Sequence, residues 1–207
     1  ELINSKLRKP GARLDISGVA VWLESRGPRI QGARPRQKLN QQGKRFIPHV
    51  LIIERGTEVD FPNSDPFYHN VFSLFDGRRF DLGLYASGES RPIVFNRSGI
   101  SYIYCNIHPS MSAVIVSVDT PFFAVTDVNG NFSIPDVPPG TYDLKIWHER
   151  TTPAELNLLT REVKVAAGSN PDIGLIRVNE AGYIPQTHLN KHGQTYDDER
   201  TNPRYKP

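Results

Sequence analysis

The 207-residue chain holds one cysteine, Cys105, and one methionine, Met111. A single cysteine excludes an intrachain disulfide, so the fold must stand on its core alone. No apolar run approaches the length that crosses a bilayer; the longest lies near Ala113 to Val118. Long helical periodicity is also missing. The 17 prolines and 16 glycines break the apolar residues into short pieces. Six scattered histidines include no His-x-His pair of the kind a multicopper enzyme needs, and no nucleophile motif stands out. The expectation is a chain without catalytic residues of its own.

What is present is concentrated. Cys105, His108 and Met111 recur every third residue in Cys105-Asn-Ile-His108-Pro-Ser-Met111, so one tight loop can deliver three donor side chains to one ion. His69, in His69-Asn70-Val71-Phe72-Ser73, adds a second imidazole from a predicted strand. A thiolate, two imidazoles and a thioether form the ligand set of a blue-copper electron-transfer site, in which the soft sulfurs hold Cu(I) and imidazole suits both oxidation states. Zinc more often recruits a second cysteine or a carboxylate. Taken singly, Cys105 reads as a small buried hydrophobe and Met111 as core filler. Their placement six positions apart around a histidine favours the metal.

The short loop resembles the amicyanin type of cupredoxin, in which Cys-x-x-His-Pro-x-Met has the same spacing. Upstream, Phe46-Ile-Pro-His-Val-Leu-Ile-Ile-Glu-Arg-Gly-Thr-Glu-Val-Asp-Phe-Pro-Asn63 is similar to the cupredoxin pattern of Phe-x-Pro, a strand, a Gly-Thr turn and a strand ending in Asn. The likeness covers roughly residues 46 to 118. It implies a Greek-key β-sandwich with one type 1 copper ion, held by Cys105, His69 and His108 with Met111 as a weak axial ligand. Asn70 would brace the ligand loop, and His108 would offer its ring edge beside Phe67, Tyr68, Pro109 and Ser110. An electron-transfer role, a redox protein partner such as a cytochrome or membrane complex, and a periplasmic or otherwise extracytoplasmic location follow from the same resemblance; the alternative is a structural or accessory subunit of a larger redox complex, with copper storage or delivery less favoured.

A second, more distant likeness runs from Asp119 to Glu149. It resembles a carboxypeptidase-regulatory-like or transthyretin-like β-sandwich. Asn129-Gly130 between Val125 and Phe132-Ser-Ile134 signals a hairpin, and Pro138-Pro139-Gly140 turns into the alternating strand Tyr142-Asp-Leu144-Lys-Ile146. The expected whole is all-β. It comprises an N-terminal extension over 1–11, a cupredoxin domain over 12–119, a smaller sandwich over 120–179 and a polar tail over 180–207. Ile16 to Glu24 could instead open the second sandwich, with the copper domain inserted between about 37 and 119; the first assignment is preferred.

Two charged segments carry further expectations. From Arg26 to Arg45 seven basic residues occur without an acidic one, which reads as a solvated loop or a basic docking surface for an acidic redox partner or anionic headgroups. Nucleic acid is not expected, since no recognition motif accompanies the charge. Both termini should be disordered alone, so a larger assembly, with this chain as a complex subunit, would be needed to order them. His188 and His192, spaced i, i+4, could share a helical face and bind a second metal near Asp197, Asp198 and Glu199. His49 and His148 read as structural, with a supporting role near the metal open to His49.

Overall fold

The computed structural model describes residues 1–5, 15–74, 77–169, 171–182 and 188–196. Among these residues it is almost entirely β, as expected, with one six-residue helix, Pro153–Leu158, started by Thr152, whose hydroxyl accepts the Glu155 N–H. The chain divides into two compact units. Residues 34–117 and 186–207 form an insert unit, and residues 1–33 and 118–185 an outer unit.

In the insert unit a five-stranded sheet runs in the order Val50–Glu54, Ser112–Val118, Gly99–Tyr104, His69–Ser73, Phe80–Tyr85. A three-stranded sheet is built from Ser90–Val94, Glu58–Pro62 and Gln37–Lys38. Strand alternation sends Val59 and Phe61 inward while Glu58, Asp60 and Pro62 are half-buried. These two join Leu39, Phe46, Ile53, Val71, Tyr85, Phe95, Ile103 and Ile115 in one core, drawn from both sheets. Cys105, Ile107 and Met111 belong to that same core, so the ligand loop is anchored from below by the packing that closes the sandwich.

The outer unit is a four-stranded sheet in the order Phe123–Val125, Ala20–Ser25, Gly140–Trp147, Arg161–Val165. Tyr142, Leu144 and Ile146 alternate into its core beside Val21, Leu23 and Val163. Ala20–Ser25 pairs with Gly140–Trp147 over six residues, from Trp147 opposite Ala20 to Tyr142 opposite Ser25. That register corrects the preferred boundary at residue 12: the first long strand belongs to the second sandwich. Strand composition reports that a segment is extended and buried on one face; it does not name the neighbour.

Three further expectations change. The Asn129-Gly130 turn forms, with the Gly130 N–H donating to the Asp127 carbonyl and Gly130 at φ +81°, but Phe132 and Ile134 pack onto the core without forming a return strand. The N-terminal extension is not loose at its start, because Leu2–Ile3 pairs in parallel with Val178–Asn179. The polar tail does not begin at 180. Glu180 is 1% exposed and takes the Arg150 guanidinium at 2.9 Å, with His148 Nδ1 at 3.5 Å, which makes His148 a structural residue of the outer unit.

The basic stretch is largely neutralised within each unit. Arg26 pairs with Asp143 and Glu162, Arg29 with Asp119, Arg34 with Glu54, and Arg36 with Glu58 and Asp60. These pairs favour the solvated-loop reading over a free cationic face.

Candidate metal centre

The ligand loop is set by a hairpin of neighbouring strands. Tyr104 at the end of Gly99–Tyr104 sits opposite Ser112 at the start of Ser112–Val118, so residues 105–111 form the connection. Two backbone bonds close it: the Cys105 N–H donates to the Met111 carbonyl at 3.1 Å, and the Met111 N–H to the His108 carbonyl at 3.0 Å. His69 begins the strand next to Gly99–Tyr104 and so enters the site from the sheet.

Three donor atoms converge there. Cys105 Sγ lies 3.5 Å from His108 Nδ1 and 3.8 Å from His69 Nδ1. Among the described residues these three form a cluster that could hold a metal ion, with all donor atoms within 4.8 Å of one another. Bonds of about 2.0 Å to imidazole nitrogen and about 2.3 Å to thiolate sulfur, opened by about 110–120°, separate N and S by about 3.5–3.7 Å. The observed spacings therefore fit one ion held by all three groups. Cys105 and His69 are fully buried, and His108 is 5% exposed. The ring of Phe67 lies 5.2 Å from that of His69 and 5.8 Å from that of His108, walling the site with an apolar surface.

His69 is oriented by a residue that sequence reasoning missed. Its Nε2 lies 2.8 Å from Asp65 Oδ2. Burial pushes the His69 imidazole below its ordinary value, with the Asp65 carboxylate opposing. A neutral ring that donates Nε2–H to Asp65 must carry its lone pair on Nδ1, the atom that faces Cys105. Asp65 is held in turn by the Gly43 N–H at 2.6 Å and the Lys44 N–H at 2.9 Å. Burial acts to raise its pKa, but these amides and His69 keep it below the usual carboxylate range. No local pattern marks Asp65 in the sequence, since its partners at 43, 44 and 69 are brought to it by the fold.

Asn70 lies on the strand beside the loop. Its Oδ1 accepts the Asn106 N–H at 3.3 Å and its Nδ2 donates to Asp81 Oδ1 at 2.7 Å, tying the residue after Cys105 to the sheet. Met111 is fully buried in the core at the end of the loop. Of the remaining neighbours, Tyr68 and Ser110 are exposed, Phe67 and Pro109 half-buried. The exposed ring edge expected at His108 is not found, because the residue is buried. His49 stands apart from the cluster, its Nδ1 3.1 Å from the Ser112 carbonyl.

His188 and His192 are not brought together on a helical face. The segment is a turn in which Asn190 Oδ1 accepts the N–H groups of His192 and Gln194, and Gly193 adopts φ +74°. His188 instead stacks on Tyr104 and meets Tyr196, while Asp197, Asp198 and Glu199 lie outside the described residues.

Among solved structures, the chain is similar to a copper-containing nitrite reductase from Thermus scotoductus SA-01, with 28% identity and a TM-score of 0.39 over 40% of this chain and 22% of that one. It is also similar to a purple cupredoxin from Nitrosopumilus maritimus, with 22% identity, a TM-score of 0.36 and coverage of 40% and 98%. An amicyanin variant in its reduced state gives 17% identity, a TM-score of 0.38 and coverage of 47% and 98%. The chain thus spans about a fifth of the nitrite reductase it matches. A family profile described as polysaccharide lyase family 4, domain II, matches residues 110–173. No curated protein matches the chain.

Proposed function

We propose that the chain is an electron-transfer protein, or the electron-carrying subunit of a larger complex, built on one type 1 copper centre. Cys105, His69 and His108 would hold the ion strongly, with Met111 as a weaker fourth ligand. The observation that carries this reading is the convergence of Cys105 Sγ and two imidazole Nδ1 atoms in a buried pocket, with His69 locked in the tautomer that presents Nδ1. When bound, copper would supply a one-electron couple poised by its sulfur ligands.

The protein's own residues do the rest. The loop bonds between Cys105, His108 and Met111 hold the donors at fixed spacing, so little has to move when an electron arrives or leaves. Phe67 and the core below exclude water, which strengthens the hydrogen bonds around the sulfur. Asp65 keeps the His69 ring from rotating.

A storage or delivery role fits less well, because a site that hands over copper needs an approach for the acceptor, and Cys105 and His69 are fully buried. We read the outer unit as a platform for protein partners and the whole as non-catalytic and extracytoplasmic. The reading is tested by voltammetry of the copper-loaded chain together with transfer to a Cu(I) chelator. A reversible one-electron wave with slow copper loss supports electron transfer; rapid, complete handover without a reversible wave supports delivery.

A further inference from the structure

Residues 188–196 hydrogen-bond the metal loop at two residues, Cys105 and Asn106, and stack on Tyr104 at the end of the strand that leads into it. The His188 ring stacks on Tyr104, with centroids 4.1 Å apart and planes 22° apart. Tyr196 meets the edge of His188 at 5.2 Å. The Tyr196 hydroxyl donates to the Cys105 carbonyl at 2.8 Å and lies 3.0 Å from His188 Nδ1, which makes a chain from His188 through Tyr196 to the cysteine backbone.

The same segment closes a ring of bonds around Asn106. The Lys191 N–H donates to Asn106 Oδ1 at 2.9 Å, and Lys191 Nζ reaches Asp81 Oδ2 at 2.7 Å. Asp81 is the acceptor for Asn70, and Asn70 accepts from the Asn106 backbone, so the ring returns to its start. The turn that presents Lys191 is self-supporting, with Asn190 accepting two N–H groups.

We infer that residues 188–196 are a built-in cover of the metal loop, in which Tyr196 and His188 act as positioning residues that fix the Cys105 backbone and hold the loop closed with its thiol buried. The cover stands on apo geometry; only its consequence for copper rests on the functional reading above. Cys105 is the single thiol of the chain, so its labelling rate reports directly on the cover.

The test is thiol labelling of the metal-free full chain with an aromatic disulfide, comparing wild type, Tyr196→Phe, Tyr196→Ala and Tyr68→Phe, the last an exposed tyrosine outside the cover. Folding is checked by circular dichroism. Tyr196→Phe is expected to label about 3- to 10-fold faster, the change in opening expected from one lost hydrogen bond. Tyr196→Ala should be faster still, and Tyr68→Phe equal to wild type. Equal rates for wild type and both Tyr196 variants, or an equal acceleration by Tyr68→Phe, overturn the proposal. In a parallel arm, Cu(I) transfer to a chelator should follow the same order; if no variant binds copper, the metal reading falls while the labelling order still decides the cover.

Discussion

Replacing Asp65 separates the two things it does. In Asp65→Ala the His69 Nε2–H, in a fully buried ring, loses its acceptor, while the Gly43 and Lys44 amides sit in exposed residues and can turn to water. The orphaned imidazole donor dominates, costing about 1–3 kcal/mol, and the two rehydrated amides add a smaller amount, for a total of about 2–4 kcal/mol. On the proposed copper reading, freeing the His69 ring from its carboxylate should also lower copper affinity about 10- to 100-fold, or about 1.4–2.7 kcal/mol. Asp65→Asn behaves differently. Its amide oxygen can replace Oδ2, keeping Lys44 and His69 as donors, while its NH2 faces only the Gly43 N–H. Affinity should then fall by less than about tenfold, since the hydrogen bond survives without the full charge. The assay is chelator competition for Cu(I) alongside urea unfolding of the metal-free chain. Wild-type affinity in Asp65→Ala, or identical losses in the two variants, refutes the argument that this carboxylate orients His69.

Other tests reach the outer unit. Leu144→Ala, at a position 1% exposed in that core, should cost about 2–5 kcal/mol in denaturant unfolding, and a loss below about 1 kcal/mol would mean the core is not packed as described. Gly130→Ala should destabilise by about 1 kcal/mol or more, because the residue holds φ +81° and an added Cβ would meet Ile16 Cδ1 at 2.7 Å; an unchanged melting temperature contradicts this. The Asp127 carboxyl is held below its ordinary value, first by the Asn131 N–H, so its contribution is present above the usual carboxylate range and is lost as pH falls through the folded value. Unfolding measured between pH 6 and pH 3 should therefore depend less on pH in Asp127→Asn than in wild type, and parallel curves would exclude the assignment.

The loop that brings Cys105 and His108 together was legible in the sequence because it is local: both residues share one turn, and side-chain type there is itself the signal. The strands around it were legible for a similar reason, since Val50–Glu54 and Ser112–Val118 are β-branched runs bounded by turn residues. Pairing was not. Ala20–Ser25 carries an apolar pattern that fits either sandwich, and its register with Gly140–Trp147 reflects contacts more than a hundred residues apart. Asp65 and Tyr196 were missed on the same ground, being an ordinary loop aspartate and an ordinary polar-segment tyrosine until the fold carries them to His69 and Cys105. The His188–His192 spacing misled in the opposite sense. An i, i+4 interval means one face only within a helix, and Asn190 with Gly193 makes a turn there instead.

The most direct test of the copper reading is visible absorption and electron paramagnetic resonance of the purified chain loaded with one equivalent of Cu(II), with Cys105→Ser as control. The account predicts an intense thiolate-to-copper band and a Cu(II) spectrum with narrow hyperfine splitting, both lost in the control. A colourless protein, or a copper spectrum unchanged by Cys105→Ser, would contradict it.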